Sequence, residues 1–177
     1  MRDTLALLLL AILLVPGCRV FSRPRQGNKV NETWETTNKP FKIRVTAYAE
    51  ENGGVVGGAY YLFQSTAYGS DTWRDILTFR HDDSVAIPHD QVRFVNDKTA
   101  FIFMGWMYAV TSDGGTTWTV WNAQTDLPKW SCCNYRLVKD VRIMADGTGI
   151  MTISPIPERQ GEVPELHTTD YGQHWSS

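Results

Sequence analysis

Several things are scarce in this chain of 177 residues, and each scarcity removes a class of function. Cysteine occurs three times, as Cys18, Cys132 and Cys133, and no CxxC pair exists, so neither a zinc ribbon nor a thioredoxin-type redox site can be written. Charge of one sign is absent: 17 basic residues against 19 acidic ones give a net charge of −2, with no basic stripe to hold nucleic acid. There is no G-x-S-x-G elbow, no H-E-x-x-H and no phosphate loop. An apolar run of the roughly 20 residues that span a membrane as a helix is also missing. No segment beyond residue 18 keeps a helical period. These gaps leave a non-enzymatic domain with no cofactor as the expectation.

What is present begins with Leu5 to Val15, an apolar run of 11 residues behind the basic Arg2. That length suits the central region of a secretory signal, not a spanning helix. The run ends in Val15-Pro16-Gly17-Cys18, which resembles the lipobox of bacterial lipoproteins. The resemblance implies cleavage after residue 17, lipidation of Cys18 and attachment to the cell envelope. Arg19 in place of an aspartate resembles the outer-membrane sorting pattern, with the domain facing the periplasm. Residues 19–40 are polar, carry Pro24 and Pro40 and lack strand periodicity, so residues 18–40 are expected to be a lipidated cysteine and flexible linker. Residues 41–177 then form one domain, large enough for a core of its own. Cys132 and Cys133 are neighbours whose Cα atoms lie about 3.8 Å apart, below the usual disulfide span. In an oxidising periplasm they could close a strained disulfide, cross-link to a partner or stay as two thiols.

An internal repeat fixes the fold class. Val92–Phe101 matches Val141–Ile150, and each copy leads to a related octet, Thr111-Ser112-Asp113-Gly114-Gly115-Thr116-Thr117-Trp118 or Thr168-Thr169-Asp170-Tyr171-Gly172-Gln173-His174-Trp175. Thr66–Trp73 is a degraded third copy, with Tyr68 at the aspartate position and Ser70 at the glycine. The octet resembles the Asp-box of sialidase-like β-propellers. Its chemistry is structural: the aspartate accepts amides of its own turn, the glycine allows positive φ, and the tryptophan packs back on the sheet. Asp113, Gly115, Trp118, Asp170, Gly172 and Trp175 are therefore folding residues. Strand-like runs at Phe41–Tyr48, Gly58–Gln64, Ile76–Arg80, Gln91–Val95, Ala100–Val110, Thr117–Trp121, Tyr135–Met144 and Gly149–Ile153 complete the pattern. The fold expected is all-β, built of antiparallel β-meanders related to β-propeller blades. About 137 residues make only three blades of usual size, too few to close a propeller.

No metal site is expected, because the polar run with His81, Asp82, Asp83, His89 and Asp90 matches no ligand spacing. His167 and His174 flank the last octet and are expected to serve its turn. Aromatic residues make up 12% of the chain, with seven tryptophans. Trp106, Tyr108, Trp130 and Tyr135 exceed what one small core should hold and are the candidates for a partner-binding surface. The lipobox, the chain size, the all-β pattern and the missing catalytic set together resemble the immunity lipoproteins that guard against type VI secretion phospholipases of the third lipase family. That resemblance implies a membrane-anchored inhibitor whose partner is a secreted phospholipase toxin, and it transfers no inhibitory residue. An envelope scaffold or glycan-binding lipoprotein is the alternative.

Overall fold

The computed structural model describes residues 29–49, 59–81, 87, 89–126, 137–154 and 165–176. These form three antiparallel sheets and one short 3-10 turn at His89–Gln91. The first sheet is a meander of β1 (Lys29–Asn38), β2 (Phe41–Ala49), β3 (Ala59–Ala67) and β4 (Arg74–His81). The second repeats it with β5 (Val92–Phe94), β6 (Ala100–Met104), β7 (Met107–Thr111) and β8 (Thr119–Asn122). The third has β9 (Val138–Ile143), β10 (Gly149–Ile153) and β11 (Glu165–Thr168) in the order β11-β10-β9, and an antiparallel bridge joins His167 to Ser176 beyond β11. Among the described residues no sheet closes on itself. The fold is all-β and meandering, as the repeat predicts.

The sheets stack face to face in chain order, and the alternation of side chains along a strand explains how. On the first sheet Phe41, Ile43, Val45, Tyr61 and Phe63 point toward the second, which answers with Ala100, Ile102, Met104 and Ala109. The alternate residues Phe101, Phe103, Tyr108 and Val110 point the other way, onto Val138, Val141, Met151, Ile153 and Leu166 of the third sheet. The second sheet is thus covered on both faces. Its strand β6 reads Ala-Phe-Ile-Phe-Met and is buried at every position, the continuous apolar run expected of a strand with two cores to fill.

Two expectations change here. The segment 18–40 is not linker throughout, because Lys29–Asn38 pairs along its length with β2. Glu32, Trp34, Thr36 and Asn38 are half-buried while the residues between them are exposed. The alternation is real but is carried by polar residues, which hides it from a hydrophobic pattern. Trp34 alone brings apolar mass, packing on the first core and stacking on His89 at 4.6 Å. In addition, the run Ala100–Val110 is two strands, turned at Gly105-Trp106 between Met104 and Met107.

Candidate functional site

The octets form the turns that close β7 onto β8 and β11 onto Ser176, and the two are wired alike. At the first position a threonine hydroxyl donates to the aspartate at 2.8 Å and accepts the glycine amide at 3.0 Å, from Thr111 to Asp113 and Gly115, and from Thr168 to Asp170 and Gly172. The seventh residue donates its amide to the same carboxylate, at 2.9 Å from Thr117 and 3.0 Å from His174. Its side chain reaches the second carboxylate oxygen at 2.6 Å, through the Thr117 hydroxyl or the His174 Nδ1. The carboxylate can only accept, so His174 carries its proton on Nδ1. The fourth residue donates its amide to the preceding hairpin turn, Gly114 to the Lys98 carbonyl and Tyr171 to the Gly147 carbonyl, both at 2.9 Å.

Glycine at the fifth position is required twice over. Gly115 sits at φ +80° with Phe41 against its α-carbon, and Gly172 at φ +82° with the Tyr108 hydroxyl and Ile143 there. The tryptophans face the preceding sheet. Trp118 packs on the core between first and second sheets and donates Nε1 to Ser65 Oγ at 3.1 Å. Trp175 packs on the core between second and third, edge-on to Tyr108 at 5.6 Å.

Burial raises the proton affinity of both octet carboxylates, but the hydrogen bonds outweigh it. Asp113 is held below the ordinary carboxylate value by Thr117, Thr111 and Thr116, and Asp170 falls to about 2, chiefly through His174 and Thr168. Tyr108 is raised well above its ordinary value by burial and by the charge of Asp170. The two carboxylate shifts accompany structural hydrogen bonds, whereas the buried Tyr108 hydroxyl has no hydrogen-bond partner among the described residues. No group of three His, Cys, Asp or Glu side chains able to hold a metal is found among them.

One of the four aromatic candidates for a binding surface, Tyr108, is corrected. Tyr108 is 1% exposed and belongs to the second core. Trp106 is half-buried and packs against both cores, edge-on to Phe79 at 4.8 Å. A stack of three sheets has two cores, so it absorbs more aromatic mass than a single core would. Trp130 and Tyr135 lie outside the described residues, as do Cys18, Cys132, Cys133, Asp82 and Asp83. His89 serves β1, stacking on Trp34 with Nε2 3.7 Å from Glu32.

A surface that sequence reasoning missed lies on the first sheet. Its outward face corresponds, strand for strand, to the faces that the second and third sheets bury against their predecessors. Where those carry Ile102 or Met151, this one carries a rung across four strands. Arg44 reaches Glu35 at 3.8 Å and donates to Gln64 at 2.8 Å, and Gln64 donates to Asp75 at 2.9 Å. The Arg44 guanidinium lies 4.0 Å over the Trp73 ring, with Lys42 at 5.6 Å, and Arg80 stands 5.7 Å from the ring of Tyr60. No described sheet packs against this face. The signal that could have found it is the placement of Lys42, Arg44 and Gln64 at the alternate positions of strands whose other side is apolar but for Ser65.

No family model, no curated protein and no solved structure matches the chain.

Proposed function

We propose that this chain is a membrane-tethered binding protein of the bacterial envelope that neutralises a secreted phospholipase toxin by covering it. The lipobox-like segment ending at Cys18 supports the tether, and the octets support a rigid platform related to Asp-box blades. One observation carries the binding role. The outward face of the first sheet sets Arg44 over Trp73, beside Tyr60 and Arg80, and tryptophan, tyrosine and arginine are the residues that dominate protein interfaces. A face of four strands of eight to ten residues is large enough to supply its half of a standard interface, about 800 Å² per partner.

The test is periplasmic co-expression with a secreted phospholipase encoded beside this chain. The full-length protein should rescue growth and co-purify with the enzyme. Arg44→Ala and Trp73→Ala should each weaken the complex by about 2 kcal/mol, roughly thirtyfold in Kd. Failure of the wild-type pair to associate at micromolar concentration would overturn the reading.

A further inference from the structure

We propose that the cleft between the turn at 66–73 and the octet at 111–118 is a binding site for a small hydroxylated oxyanion, a carboxylate or phosphate ligand of monosaccharide size. The site is separate from the outward face of the first sheet and does not depend on its partner. The cleft has a volume of about 200 Å³. One wall is the segment 70–74 that leads into β4, from which Ser70, Thr72 and Arg74 line the cleft while Asp71 and Trp73 do not. The other wall is Gly114, Gly115 and Thr116. Gly114 and Gly115 lie at φ +72° and +80° with Pro40 and Phe41 against their α-carbons, so this wall is held in place from behind and offers backbone to the cleft.

The lining decides the charge of the ligand. It contains one cation and no carboxylate, so it suits an anion and disfavours a metal ion. Most of its polar groups are already engaged. The Thr66 hydroxyl donates to the Thr72 carbonyl at 2.7 Å, Ser65 Oγ donates to the Gly115 carbonyl at 3.2 Å, and the Thr116 hydroxyl donates to the Asp113 carbonyl at 3.1 Å. The Ser70 hydroxyl accepts the Thr72 amide at 3.1 Å and keeps its own proton to give. The Arg74 guanidinium and the Thr72 hydroxyl have no partner among the described residues. Three donors on one wall thus remain, a fork and two hydroxyls, which is the donor set that grips an oxyanion. Hydroxyls carried by the ligand would meet the side-chain and carbonyl oxygens of the walls. The volume is below that of sites for drug-sized molecules, so the ligand is small.

The experiment is titration of the purified full chain, followed by amide NMR, with inorganic phosphate, with gluconate and with neutral glucose. Phosphate or gluconate should shift Ser70, Thr72, Arg74, Gly115 and Thr116 together and saturably, and glucose should not. The arm that saturates at the lower concentration separates a phosphate ligand from a carboxylate one. Arg74→Gln should weaken the saturating anion at least roughly tenfold while leaving the thermal melt unchanged, and Arg74→Lys should recover part of the loss. Glucose binding as well as the anions, or shifts scattered over the surface without saturation, would overturn the proposal.

Discussion

The octet at 111–118 and the turn at 66–73 occupy the same place in consecutive sheets, yet they are held in different ways. In each, the residue before the turn pairs with the residue after it: Ser65 with Arg74, Val110 with Thr119, and His167 with Ser176 in the third copy. The frame is therefore constant. What changes is the staple. Asp113 gathers five hydrogen bonds from Thr111, Thr116 and Thr117. At the equivalent Tyr68 no carboxylate exists, the ring is half exposed, and Lys39 lies 5.0 Å above it. Thr66 and Ser70 close that turn instead, through the Thr72 backbone. The tryptophans diverge in consequence. Trp118 fills a gap between two sheets, whereas Trp73 has no preceding sheet among the described residues to enter and lies under Arg44. A repeat at the end of a stack presents polar groups on its outer face, and Arg44 over Trp73 does so here.

The largest expected effect separates the two tryptophans. Trp118→Ala should cost about 3 kcal/mol, since it opens a void at the seam between sheets and removes the Nε1 hydrogen bond to Ser65 Oγ. Trp73→Ala should cost no more than about 1 kcal/mol, the worth of a partly exposed cation–π contact. Urea melts of the two variants would show it. Equal losses would mean that the outward face of the first sheet is a core in its own right.

Glycine gives a sharper version of the same comparison. Gly69 and Gly172 have nearly the same backbone, at φ +84° and +82°. An added methyl at Gly69 meets nothing within 4 Å, and at Gly172 it meets the Tyr108 hydroxyl and Ile143. Gly69→Ala should therefore lose only the left-handed strain of about 1 kcal/mol, and Gly172→Ala about 2 kcal/mol or more. If thermal melts place both at the same value, conformation alone governs these turns and the packing of Tyr108 beneath the last octet is slack.

Much of this architecture is legible in the residues. The octets announce themselves because the aspartate, glycine and tryptophan each have one steric or hydrogen-bonding duty, and such duties tolerate few substitutes. The second sheet is legible from its apolar runs. The strand at Lys29–Asn38 is not, because it is an edge strand whose half-buried row is Glu32, Trp34, Thr36 and Asn38, and only its pairing with β2 defines it. The strand at Glu165–Thr168 is hidden for a different reason: four residues are too few to show a period. The aromatic residues mislead in the opposite direction. Tyr108 resembles a surface residue only if one core is assumed, and its burial is a property of the sheet stack that no local pattern contains.

The smallest expected effect lies in acid. Asp170 binds its proton at about 2 in the folded protein, against about 3.9 in an unfolded chain, and Asp113 is displaced in the same direction. As the pH falls below about 4, the unfolded state takes up protons first, so the stabilisation present at neutral pH drains away until the folded carboxylates protonate as well. The Asp170 side chain is 43% exposed, and solvent screening holds its share to about 1 kcal/mol. Urea midpoints measured between about pH 5 and about pH 2.5 should fall less steeply for Asp170→Asn than for the wild type, because the asparagine has no proton to gain. Tyr68→Phe, at the position where the degraded turn lacks the carboxylate, should leave the slope unchanged. An acid limb that survives both Asp113→Asn and Asp170→Asn would place the acid-sensitive carboxylate elsewhere, with Asp140 between Arg93 and Arg142 the next group to test.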